Sequence, residues 1–102
     1  CKEILMYIHR HYMNKLNVSE IAFAVGISAN YFSTFFAEHF HMHFAEYLRA
    51  YRIEQACLML TNSNLSVTEI ALATGFSSGS HFIHHFHLLK GVTPLTYRKK
   101  AE

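Results

Sequence analysis

Apolar residues recur along this chain at helical spacing, and no segment shows the alternation of apolar and polar positions over roughly four to eight residues that marks a half-buried strand. Ile4, Leu5, Ile8 and Tyr12 predict a first helix over about residues 3–13. Tyr47, Leu48, Tyr51, Leu58 and Met59 predict a long one over about 43–61. Two further helices, over about 28–40 and 78–90, carry phenylalanine stripes: Phe32, Phe36 and Phe40 in one, Phe82 and Phe86 with Leu89 in the other. Thr93-Pro94 opens a last short helix, with the hydroxyl at the N-cap and proline at the first helical position. The pattern predicts an all-α fold.

The two phenylalanine helices belong to a duplication. Residues 18–28, VSEIAFAVGIS, and 67–77, VTEIALATGFS, are identical at seven of eleven places at an offset of 49. With one residue more, the match continues through Phe32 and Phe82, Phe36 and Phe86, then Tyr47 and Tyr97. Each copy opens on a capping box, Asn17-Val-Ser-Glu20 and Ser66-Val-Thr-Glu69, whose side chains can satisfy the exposed amides of a helix start. Gly26 and Gly75 then fall where a left-handed residue ends a short helix, and Ser28 and Ser77 are placed to cap the next one. A short helix, a tight glycine turn and a second helix make a helix-turn-helix, here present twice. The first unit spans about 3–42, the linking helix about 43–61 and the second unit about 66–100.

At roughly 100° per residue, the stripe of Phe82, Phe86 and Leu89 leaves Ser80, His84 and His87 pointing outward. In the first copy the stripe of Phe32, Phe36 and Phe40 leaves Asn30, Ser33, Thr34 and Ala37 pointing outward.

Composition narrows the class. With 102 residues, 51% of them hydrophobic and 15% aromatic, the chain can bury one compact core, and its single proline and four glycines leave no linker. The formal charge is only +2, and residues 16–48 and 53–89 contain no Lys or Arg. Cys1 and Cys57 form neither a disulfide framework nor a cysteine zinc cluster, which fits a reducing cytoplasm. No apolar run approaches the roughly 20 residues that span a bilayer. A start at Cys1 rather than Met reads as a fragment of a longer protein. An enzyme is disfavoured: no motif places a nucleophile beside a base, no phosphate loop occurs, and Glu20 and Glu69 read as caps rather than as acids.

Histidine is the remaining chemistry. Four of the nine, His81, His84, His85 and His87, lie within seven residues of the second phenylalanine helix. His81 and His85 at i, i+4 share one side of that helix, but two ligands fall short of the four of structural zinc or the three plus water of catalytic zinc. No functional metal and no cofactor is therefore expected, and adventitious uptake of nickel or zinc by the nine histidines is the alternative. The plain alternative makes His85 a core-edge residue and the rest solvated. The phenylalanine run in YFSTFFAEHFHMHF reads as core packing rather than a stacking surface, and the YRKKAE tail as either a phosphate contact or a solvated terminus.

The stretches TEIALATGFSSGSHFIHHF, GVTPLTYRK and YLRAYRIEQACLML resemble the DNA-binding domain of the AraC/XylS family of bacterial transcription regulators, over essentially the whole length. The resemblance implies seven helices forming two homeodomain-like helix-turn-helix units joined by the long central helix. It also implies binding of double-stranded promoter DNA as an activator or repressor in the cytoplasm, with RNA polymerase as a partner and an effector-binding or dimerisation domain elsewhere in the intact protein. A linking helix of roughly 18 residues spans roughly 27 Å, so one chain could read two major-groove boxes about 10 base pairs apart, at an asymmetric site. A helix-turn-helix fold turned to protein interaction, with weak or no DNA binding, is the alternative.

Carried over by position, the resemblance implies base-edge contacts from Ala29, Asn30, Ser33 and Thr34 and from Gly79, Ser80, Ile83 and His84, with His81 beside them. Asn30 can pair bidentately with an adenine edge. Phosphate contacts are implied at Ser19, Ser28, Thr68 and Ser77 near helix termini, and His87 is positioned to join them. The family often carries Arg or Lys at the positions of Thr34, Ala37, His84 and His87, and glycine at that of His41. Protonating all nine histidines would carry the formal charge from +2 to +11, so binding is expected to tighten toward pH 6. His41 implies either a strained left-handed residue or a different turn.

Overall fold

The computed structural model describes residues 2–102, and the position of Cys1 lies outside them. The described residues form seven α-helices and no strand: α1 (Lys2–His11), α2 (Val18–Val25), α3 (Ala29–Phe40), α4 (Phe44–Asn62), α5 (Val67–Ala73), α6 (Gly79–Lys90) and α7 (Pro94–Ala101). The chain divides within α4 into two compact units, residues up to Leu48 and residues from Arg49. None of the helices is long and apolar enough to cross a membrane.

In the first unit, Ile4 and Ile8 of α1, Ile21 and Ala22 of α2, Phe32 and Phe36 of α3, and Phe44 and Leu48 of α4 form one core. In the second, Ile70 and Ala71 of α5, Phe76 of the turn, and Phe82 and Phe86 of α6 pack on Ile53, Ala56, Cys57 and Leu60 of α4. The duplication reaches the ring geometry: Phe36 meets Tyr47 at 5.5 Å and 78°, and Phe86 meets Tyr97 at 5.5 Å and 82°. Such edge-to-face pairs add about 0.5–1.5 kcal/mol each beyond the area that they bury.

Local chemistry sets the helix limits. Asn17 accepts the Glu20 amide at 2.8 Å while its own side-chain amide donates to the Glu20 carboxylate. Ser66 and Glu69 form a complete reciprocal box. Gly26, at φ 81°, and Gly75, at φ 96°, make the left-handed turns that follow α2 and α5. Thr93 caps α7. Where α4 ends, the Arg98 guanidinium donates to the carbonyl of Leu60 in the last turn, a group the helix leaves without an amide partner, and to those of Ser63 and Leu65 in the connection to α5.

Three sequence expectations are corrected. Leu89 is 52% exposed rather than core. The stripe runs Phe82, Phe86, Lys90, since a step of four from Phe86 reaches 90, and Lys90 takes the place of Phe40. Leu58 is likewise exposed. The buried positions of α4 step by five from Leu48 to Ile53, so the register of its first half does not carry into the second. Ser77 does not cap α6: the N-cap is Ser78, whose hydroxyl accepts the His81 amide at 3.2 Å. The one-residue difference between the copies falls inside this turn, where Phe76 drops into the core and moves the cap along by one.

His41 settles its two alternatives in favour of strain. It ends α3 at φ 58°, the only non-glycine positive φ among the described residues, with its amide bonded to the Ala37 carbonyl at 2.9 Å. Gly91 ends α6 with the same bond to His87 at 2.9 Å.

Candidate nucleic-acid interface

The second helix of each pair is anchored along one line and open along the other. In α3, Phe32 and Phe36 are fully buried, while Asn30, Ser33 and Thr34 are exposed and Ala29 and Ala37 half-buried. In α6, Phe82 and Phe86 are fully buried, while Ser80, His81, Ile83, His84 and His87 are exposed and Gly79 is half-buried. Within each unit, the residues named for base contact therefore fall on one solvent-facing strip.

The residues named for phosphate lie beside these strips. Ser28 sits at the N-cap of α3, its hydroxyl accepting the Tyr31 amide at 3.1 Å. Ser19 and Thr68 are exposed in the first turns of α2 and α5, and Ser77 is exposed in the turn before α6. A Cβ built on Gly79 would stand 3.5 Å from the Thr68 hydroxyl, so the starts of α5 and α6 converge. Each helix start presents partial positive charge, the form of attraction available to an anion where few cations are at hand.

Formal charge is indeed sparse here. Lys90 is the only Lys or Arg in α3 and α6, and it is paired with Glu54, a bond that also raises its pKa. The histidines of α6 are unequal: burial holds the His85 pKa down, reinforced by the Arg49 cation and by His81 and His84. His85 and His81 share a hydrogen bond, Nε2 to Nε2 at 2.9 Å. Among the described residues, no three His, Cys, Asp or Glu side chains converge as a metal site would require.

Sequence reasoning passed over the side of α3. Tyr31, Phe35 and His39 form a ladder, with ring centroids 6.0 and 5.3 Å apart and planes within 11° of parallel. Tyr31 is 60% exposed. The i, i+4, i+8 spacing was readable, but it was masked by the buried phenylalanine stripe beside it. His81 and His85 hold the same two places in the second copy as Tyr31 and Phe35 in the first.

A family model described as a helix-turn-helix domain matches residues 21–100. A transcriptional regulator of Chromobacterium violaceum with an AraC-type DNA-binding domain superposes with a TM-score of 0.93 at 26% identity, covering 98% of this chain and 89% of that one. The chain belongs to the AraC-type helix-turn-helix family of transcription regulators. The DNA-binding domain of AdpA, a global transcriptional factor solved in complex with a target DNA, superposes with a TM-score of 0.90 at 26% identity, covering 97% of this chain and 89% of that one. YdeC, an uncharacterized helix-turn-helix-type transcriptional regulator of Bacillus subtilis, is 34% identical over 98 residues, 96% of this chain. This AraC-type chain spans 34% of the length of YdeC and 13% of that of a Staphylococcus aureus regulator that it also matches.

Proposed function

We propose that this AraC-type domain binds promoter DNA sequence-specifically in the bacterial cytoplasm, with α3 reading one major-groove box and α6 a second about one helical turn away. The observation that carries the proposal is the matched pair of helices, each clamped by two fully buried phenylalanines and presenting a solvent-facing strip of small and hydrogen-bonding side chains. Base contacts are assigned to Ala29, Asn30, Ser33 and Thr34 in α3 and to Gly79, Ser80, His81, Ile83 and His84 in α6. Ser19, Ser28, Thr68, Ser77 and His87 are assigned to phosphate, and AdpA bound to its target DNA supports the assignment by likeness. The greater length of the relatives supports a further effector-binding or dimerisation part in the intact protein, with RNA polymerase as the downstream partner.

Selection of bound sites from random duplexes tests the reading. Two unlike boxes about 10 base pairs apart are expected. Asn30→Ala should relax preference at a single position by about 1–3 kcal/mol. Failure to enrich any sequence, together with partner binding that salt does not weaken, would favour a protein-interaction module. That second reading draws on one observation: Lys90, the sole Lys or Arg of α3 and α6, is occupied by Glu54.

A further inference from the structure

We propose that His81 and His85 form a two-point chelate on the exposed edge of α6 for a divalent metal that accepts imidazole in square-planar or octahedral geometry, copper(II) first and nickel(II) next. Two histidines at i, i+4 fall short of a zinc site, but they suffice for a chelate completed by water. The structure adds proximity: the two Nε2 atoms lie 2.9 Å apart in a hydrogen bond, with the rings at 82° and their centroids 4.5 Å apart, so rotation of the two rings brings both lone pairs to one ion. At metal–nitrogen distances of about 2.0–2.1 Å, two neighbouring ligands of a square-planar or octahedral ion stand about 2.9 Å apart, against about 3.3–3.4 Å in a tetrahedral one. The separation of the pair lies near the former.

Its surroundings leave the outer side open. His81 is exposed and its ring lies edge-on to Phe76 at 5.8 Å, while His85 is half-buried against its own unit. Three protein ligands do not meet here, so water fills the remaining coordination positions. Binding takes both rings as their neutral Nδ1–H tautomers: the donor ring's Nε2–H bond breaks as solvent delivers a proton to its Nδ1, no net proton is released, and both Nε2 lone pairs turn to the metal. Arg49, whose positive charge acts on His85, opposes the incoming cation. The series copper over nickel follows the general order of divalent affinities, and imidazole suits both.

The test is titration of the 102-residue chain with Cu²⁺ and separately with Ni²⁺, measured by calorimetry and by paramagnetic broadening of the histidine ring protons. His81 and His85 should broaden first and together. His81→Ala and His85→Ala should each weaken the tightest site by about tenfold or more, because a second ligand tethered nearby acts at high effective concentration. His84→Ala, on the neighbouring outward position, should leave that site unchanged, and Arg49→Gln should tighten it. Far-UV circular dichroism confirms that each variant keeps its helices, and His81→Gln, on an exposed position, supplies a second variant if alanine disturbs α6. Broadening that begins at any other histidine, or a tightest affinity that survives loss of either His81 or His85, overturns the proposal. DNA is absent from every arm, so the outcome is independent of the function proposed above.

Discussion

Replacing His41 with glycine should stabilise the protein, although the substitution removes a side chain and adds no contact. His41 holds φ 58° at the end of α3, the place that Gly91 fills at φ 77° after α6. An L-residue in the left-handed region gives up about 1–2 kcal/mol, and histidine stands toward the tolerant end of that range. Glycine returns about 0.4–1 kcal/mol of this through its greater freedom in the unfolded chain. The net gain is about 0.5 kcal/mol, or about 2–4 °C in Tm for a chain of this size. Gly91→His is the converse: a Cβ there meets nothing within 4 Å, so the change is conformational rather than steric and should lower stability by about 0.5–1 kcal/mol. Urea and thermal unfolding followed by circular dichroism measure both. Shifts of the same sign for the two variants, or a loss of stability in His41→Gly, would refute the reasoning.

Other consequences are equally open to measurement. Arg98→Ala should cost about 2 kcal/mol in urea unfolding, because three carbonyls in the last turn of α4 and the connection beyond it lose a charged donor, and Arg98→Lys should recover less than half since one ammonium cannot span the three. The Ser66 amide and hydroxyl hold the Glu69 pKa below the usual glutamate range, so its ionised form favours the fold. That contribution is present at neutral pH and is lost as pH falls through the lowered folded value. Glu69→Gln should therefore be less stable than the parent at pH 7 and converge with it in acid; a constant difference across pH would count against the cap's charge. Thr34→Arg and Ala37→Lys, which place cations at positions where the AraC/XylS resemblance implies them, should each tighten DNA binding and steepen the log–log salt slope by about 0.9, and an unchanged slope would place these positions out of reach of the DNA backbone.

The fold was legible wherever a residue's role depends on its near neighbours. Asn17, Ser28, Ser66 and Thr93 cap helices because capping is decided over three or four residues, and the phenylalanines at 32, 36, 82 and 86 are buried because four-residue spacing holds them on one face. Reading failed where tertiary packing intervenes. Leu89 is apolar but faces solvent, while Lys90 takes the inward register because Glu54 of another helix receives its charge. Ser77 and Ser78 are chemically indistinguishable as caps; the choice belongs to Phe76, whose place in the core fixes how the turn enters α6. The strip facing solvent could be phased from sequence, whereas the convergence of His81 with His85 depends on side-chain torsions that no spacing rule contains.

The two copies have diverged in a way that bears on the site they would read. Their cores are conserved by position: Ile21 with Ile70, Ala22 with Ala71, Phe32 with Phe82 and Phe36 with Phe86 are the same residue at the same depth. Their outward strips share none: Asn30 corresponds to Ser80, Tyr31 to His81, Ser33 to Ile83, Thr34 to His84 and Ala37 to His87. Packing therefore cannot distinguish the units, and any difference in what they recognise must come from the strips. An amide able to grip adenine on α3 and a branched apolar side chain with an imidazole on α6 present different donor and acceptor patterns to a groove. Two like boxes would leave one strip mismatched, at about 1–3 kcal/mol for each wrong base pair. On the function proposed above, the site that satisfies both helices is an asymmetric one, and two like boxes emerging from selection would count against base reading by both strips.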